Sequence, residues 1–260
     1  MRIFVSIVAL ALLVSACGVE MMETTTTAVP TTTTTIPPTT TSVPPEVRAT
    51  FAGIDISEVP EDTVLVGMAK GELDVYATPE DAEPLLTLPA TTILATVTVV
   101  TLLEGPIDGW ARVMLPVRPN GSEGWVRTSD IEIYVVEGRL LVDLSEKTLT
   151  YYRSGEVVLT STVAVGTDRN PTPTGHFFVT DNVTLANPNS PWGPHALGLS
   201  GRSDTITEYN GGDGIIGIHG TNRPDSIGQT ASLGCVRLPN DVITAIHEMV
   251  PIGTPVEIRA

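Results

Sequence analysis

Between residues 64 and 259 the apolar residues come in short runs that Gly and Pro cut off before helical length, and only residues 241–250 repeat at helical spacing. A chain punctuated in this way folds as mainly β with few short helices. From 64 to 133 the runs V-L-V-G-M, L-D-V-Y-A, T-I-L-A-T-V-T-V-V and W-A-R-V-M-L predict the strands of a small all-β unit. From Arg139 onward, alternating strands are expected to turn through S-E-K and then R-S-G-E. The Pro/Gly-rich P-T-P-T-G precedes a further strand at H-F-F-V-T. In the helical segment, Asn240 or Asp241 is expected as cap. Val242, Ile243, Ile246 and Val250 share one face, and Pro251 with Gly253 stops the helix.

The N-terminal region adds no core. One basic residue, Arg2, precedes an apolar run from Ile3 to Val14 and then the small residues Ser15 and Ala16, the pattern of an export signal over residues 1–16. The run is shorter than the roughly 20 residues a spanning helix needs. V-S-A-C resembles a bacterial lipobox, which implies acylation of Cys17. At about 0.8 kcal/mol per buried methylene, two or three acyl chains anchor a protein to a bilayer without spanning it. Residues 24–45 are nearly all Thr and Pro, so residues 17–60 are read as an extended linker, about 3.1 Å per residue where Pro-rich. The expected location is therefore extracytoplasmic, lipid-anchored to the cell membrane. A formal charge of -16 excludes nucleic acid as partner, because such binding draws its affinity from Lys and Arg on phosphates.

Two cysteines in an exported chain first suggest a disulfide. With Cys17 acylated, Cys235 has no partner, and a lone thiol is then either a nucleophile or a buried structural residue. Its setting adds weight to the first. In G-I-I-G-I-H-G-T-N-R-P-D-S-I-G-Q-T-A-S-L-G-C-V-R-L, an apolar strand delivers His219 to a rim, and Cys235 follows Gly234, where a missing side chain lets backbone N–H groups approach a carbonyl. A neutral imidazole can take the proton of a thiol that is otherwise largely protonated at neutral pH.

Two resemblances follow. The segment D-G-W-A-R-V-M-L-P-V-R-P-N-G-S-E-G-W-V-R resembles bacterial SH3-like wall-associated domains, which implies a small β-barrel over residues 61–135. Its Trp110 and Trp125 are read as packing residues rather than a ligand platform. H-G-T-N and S-L-G-C-V-R, together with V-A-V-G-T-D-R-N-P-T-P-T-G, L-G-L-S-G and G-T-P-V, resemble the YkuD-type L,D-transpeptidase catalytic domain. That implies a β-sandwich-like domain over residues 137–260 that performs cysteine acyl transfer on peptidoglycan stem peptides, without metal or cofactor.

Carried over by position, the resemblance makes Cys235 the nucleophile and His219 its base. Gly234 and Cys235 offer oxyanion N–H groups, the Gly220 carbonyl orients the imidazole, and Ser232 joins the substrate contacts. Arg237 is either a clamp for a substrate carboxylate or half of a structural salt bridge. The implied product is a 3-to-3 cross-link. A carboxypeptidase in which water takes the acyl group, and a non-catalytic wall-binding lipoprotein, are the alternatives. Leu233 departs from the S-H-G-C of many members and can neither donate nor titrate. His176, His195 and His247 lack metal-ligand spacing and are read as structural or solvated, His195 being the nearest to a substrate channel. Trp192 either walls that groove or packs its own loop. Nothing in the sequence fixes an oligomeric state.

Overall fold

The computed structural model describes residues 62–209 and 211–260. The signal at 1–16, Cys17 and the whole of the linker at 17–60 lie outside the described residues.

The first sheet contains β1 (Thr63–Ala69), β4 (Val99–Ile107), β5 (Trp110–Met114), β6 (Glu123–Arg127) and β7 (Ile131–Glu137), in the order β6-β5-β4-β1-β7. A short hairpin of β2 (Leu73–Val75) and β3 (Leu86–Leu88) accompanies it. Alternate residues Ala111, Val113, Val126 and Ile131 turn inward with Leu73, Val75, Val100 and Leu115 to form one apolar cluster. The β5–β6 pair brackets the P-N-G-S turn, with Arg112 opposite Trp125. One expected strand formed only at its C-terminal end. Residues 92–98 of T-I-L-A-T-V-T-V-V make a turn, with Ala95 at φ 63°, and the strand starts only at Val99. The Thr92 hydroxyl accepts the Leu94 and Thr96 N–H groups at 3.2 and 3.3 Å and donates to Asp181 at 2.5 Å, so local hydroxyl bonding overrides β-propensity.

The second sheet contains β8 (Arg139–Asp143), β9 (Thr148–Arg153), β10 (Glu156–Thr162), β12 (Gly175–Thr184), β13 (His195–Arg202), β14 (Ile215–His219), β16 (Val236–Arg237) and β17 (Pro255–Arg259). Their order is β10-β9-β8-β17-β12-β13-β14-β16. β12 changes partner along its length: Gly175–Phe178 pair with β17, and Val179–Thr184 pair with β13 across a register shift. A strand shared in this way turns a corner and lets both parts of the sheet face one core. Leu140, Leu149, Tyr151, Val179, Leu197, Ile218 and Val256 fill that core, and the helix α1 (Asn240–Met249) closes it with Ile243 and Ile246. Full burial of each such aliphatic contributes about 1.5–3 kcal/mol. A small parallel pair, β11 (Val165–Gly166) with β15 (Thr230–Ser232), lies outside the large sheet.

The helix runs as expected, but its cap differs. Pro239 is the N-cap, and no side chain caps the helix. The Asn240 carboxamide oxygen instead accepts the Thr221 N–H at 2.7 Å, in the loop after His219.

The two sheets share a third apolar cluster, in which Phe178 of β12 meets Val66, Val99 and Val136, with Tyr134 and Ile252 alongside. Tyr134 donates from its hydroxyl to the Ile252 carbonyl at 3.1 Å, and burial pushes that phenol up to about 12, which keeps it protonated.

Candidate active site

Parallel pairing of β14 and β16 joins two motifs that lie sixteen positions apart in the chain. Ile218 stands opposite Val236 and His219 opposite Arg237. The residue before β16, Cys235, is thereby set beside Gly217, whose N–H donates to Sγ at 3.4 Å. Cys235, His219 and Arg237 line one cavity of about 100 Å³ together with Trp192, Ser203, Ile206, Tyr209 and Leu233.

The cysteine turn is built around Gly234, whose φ of +119° disfavours any side chain. Ser232 closes this turn, its hydroxyl donating to the Cys235 carbonyl at 2.5 Å and accepting the Gly234 N–H at 3.0 Å. The expectation of two N–H groups free for an oxyanion is thus halved. The Gly234 donor is engaged by Ser232, whereas among the described residues the Cys235 N–H has no partner.

His219 is buried, at 5% exposure, rather than standing at a rim. Its Nδ1 lies 2.6 Å from the Gly220 carbonyl, and because that oxygen can only accept, Nδ1 carries the proton. The lone pair of the neutral ring is then on Nε2. The indole of Trp192 lies 4.7 Å from the imidazole, centroid to centroid, and walls the cavity. Burial drives the imidazole down to about 4; the Gly220 bond opposes this and the positive Arg237 adds to it. Burial also pushes the Cys235 thiol up, offset in part by the Gly217 N–H and by Arg237. Among the described residues no hydrogen bond joins Cys235 to His219, and both are neutral at pH 7. The resting arrangement is thiol and imidazole in one pocket, rather than an ion pair. Such contacts commonly tighten only when substrate binds.

Arg237 has no salt bridge among the described residues, and its Nε and Nη1 are buried without a hydrogen-bond partner. A guanidinium left in that state at a cavity wall is a docking point for an anionic oxygen. Leu233 is 53% exposed at the same cavity and presents only carbon to it, in keeping with a side chain that can neither donate nor titrate.

The remaining histidines are elsewhere. His195 stacks on His247 at 4.0 Å between centroids, with the Thr184 hydroxyl 3.2 and 3.3 Å from the two rings. It does not line the cavity, which corrects the expectation that it approaches a substrate channel: pairing of β12 with β13 turns it toward the helix. His176 is exposed on β12 opposite Glu257. Sequence reading missed Ser203, Ile206 and Tyr209. They belong to S-D-T-I-T-E-Y, which has neither periodicity nor a motif to mark it.

The family model for the YkuD L,D-transpeptidase catalytic domain matches residues 137–258. The chain is 35% identical over 126 residues to "Putative L,D-transpeptidase YkuD" of Bacillus subtilis (strain 168), covering 48% of this chain and 68% of that protein. It is 36% identical over 120 residues to the protein of the same name from Bacillus licheniformis, covering 46% of this chain and 64% of that one. The chain thus spans about two thirds of the length of these relatives. Among solved structures, the catalytic domain of the E. faecium L,D-transpeptidase shares 26% identity at a TM-score of 0.35, over 47% of this chain and 97% of that one. By the family match and the relative covered over two thirds of its length, the chain belongs to the YkuD-type L,D-transpeptidase family.

Proposed function

We propose that the protein is a peptidoglycan L,D-transpeptidase that works through a cysteinyl acyl-enzyme and forms 3-to-3 cross-links. The observation that carries this reading is the shared cavity of Cys235 and His219, with the imidazole tautomer fixed by the Gly220 carbonyl so that Nε2 is left to accept a proton. On substrate binding, Nε2 takes the thiol proton, and Sγ attacks the carbonyl between the L-centre of the stem diamino acid and its terminal D-Ala. The tetrahedral oxyanion accepts the free Cys235 N–H, a contact that strengthens as charge develops. The imidazolium then protonates the departing D-Ala amine, leaving a thioester. A side-chain amine of a neighbouring stem attacks that thioester, His219 takes the amine proton, and the thiol is regenerated. Arg237 holds a substrate carboxylate on its unpartnered Nε and Nη1. An imidazole held near 4 is neutral at pH 7 and thus available as a base, although a weak one.

The same reading places the protein outside the cytoplasm, anchored by lipid on Cys17, with residues 17–60 as a tether and residues 61–135 as an SH3-like module. Support for the anchor comes from the N-terminal sequence pattern.

The test is muropeptide analysis by mass spectrometry. Donor tetrapeptide plus acceptor should give free D-Ala and a 3-to-3 dimer with wild-type protein and neither with Cys235→Ala. D-Ala release without dimer would mark an L,D-carboxypeptidase, and neither product from reduced wild-type protein would sink the enzymatic reading. A carbapenem adduct on the wild type that persists in Cys235→Ala would remove this thiol from the mechanism.

A further inference from the structure

One wall of the Cys235 cavity is a loop, residues 203–214, that contributes Ser203, Ile206, Tyr209 and Gly214 to the lining. Among its described residues the loop carries one internal bridge, Tyr209 with Gly212, and no named strand or helix. Ser203 anchors its start by donating its N–H to the Gly214 carbonyl at 2.8 Å and accepting the Ile206 N–H on its hydroxyl at 3.1 Å. Gly214 has a φ of +73°, and a side chain there would collide with the Ile206 carbonyl. Its two ends are therefore folded tightly onto each other, Arg202 of β13 pairs with Asp213 at 2.7 Å, and further ties come from the other sheet.

The connection between β5 and β6, residues 115–122, reaches across to it. Arg118 donates from Nη2 to the Asp213 carbonyl at 2.7 Å and to the Ile206 carbonyl at 3.3 Å, bonding both sides of the loop with one group. Asn120 makes a reciprocal pair with the Arg202 backbone: its amide donates to the Arg202 carbonyl at 2.8 Å, and its oxygen accepts the Arg202 N–H at 2.8 Å. Arg202 itself is buried. Its guanidinium donates to the Pro116 carbonyl at 2.6 Å and pairs with the Asp213 carboxylate at 2.7 Å. The contacts are polar and directional: Arg118 bonds backbone atoms of the loop, and Asn120 bonds the backbone of Arg202, the β13 residue from which the loop starts. They differ in kind from the apolar cluster around Phe178 that joins the sheets elsewhere.

We propose that Arg118 and Asn120 are positioning residues for the acyl-transfer site, and that the first β-unit, whatever else it does, supplies the clamp that holds one wall of the substrate cavity in shape. The proposal rests on the reading of Cys235 as the nucleophile. Its physical basis is that a loop outside the large sheet samples more conformations once its outer ties are lost, and that ordering it before substrate arrives removes an entropic cost from binding. Arg118 touches neither the thiol nor the imidazole, so its loss should alter how bulky substrates fit without altering the thiol.

The experiment uses the full chain and two thiol probes of different size. Acylation of Cys235 by a carbapenem depends on the shape of the wall, whereas alkylation by iodoacetamide depends on the thiol alone. Arg118→Ala and Asn120→Ala should each slow carbapenem acylation by about tenfold, the scale of one hydrogen bond to a charged or reciprocal partner, and should leave alkylation within about twofold of wild type. In transpeptidation the same variants should raise KM more than they lower kcat. Tyr134→Phe, which removes a hydrogen bond between the sheets away from the cavity, should leave both probes at wild-type rates. If wild type is acylated and the Arg118 and Asn120 variants match it, the clamp is overturned alone. It is equally overturned if these variants slow both probes in parallel, or if Tyr134→Phe reproduces their effect. A wild-type Cys235 that no carbapenem acylates overturns the proposed function, and the clamp with it.

Discussion

The neutral state of His219 has a thermodynamic signature. Its imidazole is held near 4 against an ordinary value of 6.5, chiefly by burial. As pH falls through 6.5, the unfolded chain binds a proton on this ring while the folded protein does not until about 4. The unfolded state therefore gains. The stability associated with the neutral buried ring is complete above pH 6.5 and is lost between 6.5 and 4, and at about 1.36 kcal/mol per pH unit the total is about 3 kcal/mol. Carboxylates titrate in part of the same range, so the measurement must be a difference. Urea denaturation of wild type and His219→Gln, at several pH values from 7 to 4, isolates the one proton. The stability of wild type relative to the variant should fall by about 1 kcal/mol at pH 5.5 and by most of the 3 kcal/mol at pH 4.5. A flat difference would show that the ring is not desolvated. A difference that grows as pH falls would show a raised imidazole, the mark of a resting imidazolium–thiolate pair, and would refute the assignment of a neutral site. The thiol gives an independent check. With Cys235 raised by burial, its alkylation rate should still be climbing at pH 9, whereas an ion pair would give a plateau beginning in mild acid.

Two further outcomes follow from packing and hydrogen bonding. Asn240→Ala strands the buried Thr221 N–H and should cost about 1–3 kcal/mol in denaturant unfolding, with a fall in transfer rate because the loop behind His219 loses its tie to α1. Phe178→Ala empties the centre of the cluster shared by the sheets and should destabilise by about 3–5 kcal/mol, read as a lowered denaturation midpoint.

Much of the second sheet is legible in the chain. The hairpins through S-E-K and R-S-G-E, the strand at H-F-F-V-T and the helix ending before Pro251 are all set by local period and turn chemistry, and they appear where those signals lie. The family is equally legible, since H-G-T-N and S-L-G-C-V-R are contiguous motifs. The failures share a cause, which is that a polar side chain took a specific hydrogen-bond partner that no periodicity announces. Thr92 bonded Asp181 and ended a predicted strand, Asn240 bonded Thr221 and left the helix uncapped, and Ser232 engaged the Gly234 N–H expected to be free. The pairing of His195 with His247 is likewise invisible until β12, β13 and α1 are packed together.

The sequence by itself determined that Cys235 and His219 are the reactive pair to consider, because a cysteine after a glycine, a strand-terminal histidine and two flanking motifs are properties of the chain. Only the tertiary structure decided their state and their surroundings. Parallel pairing of β14 with β16 brings the two into one cavity, and burial there neutralises both groups by withholding the water that would solvate a charge. One wall, residues 203–214, comes from a segment with no pattern of its own, bonded by Arg118 from the β5–β6 connection, while Asn120 bonds the adjoining Arg202. No local signal encodes such a contact, since it exists only once two separately patterned sheets have met.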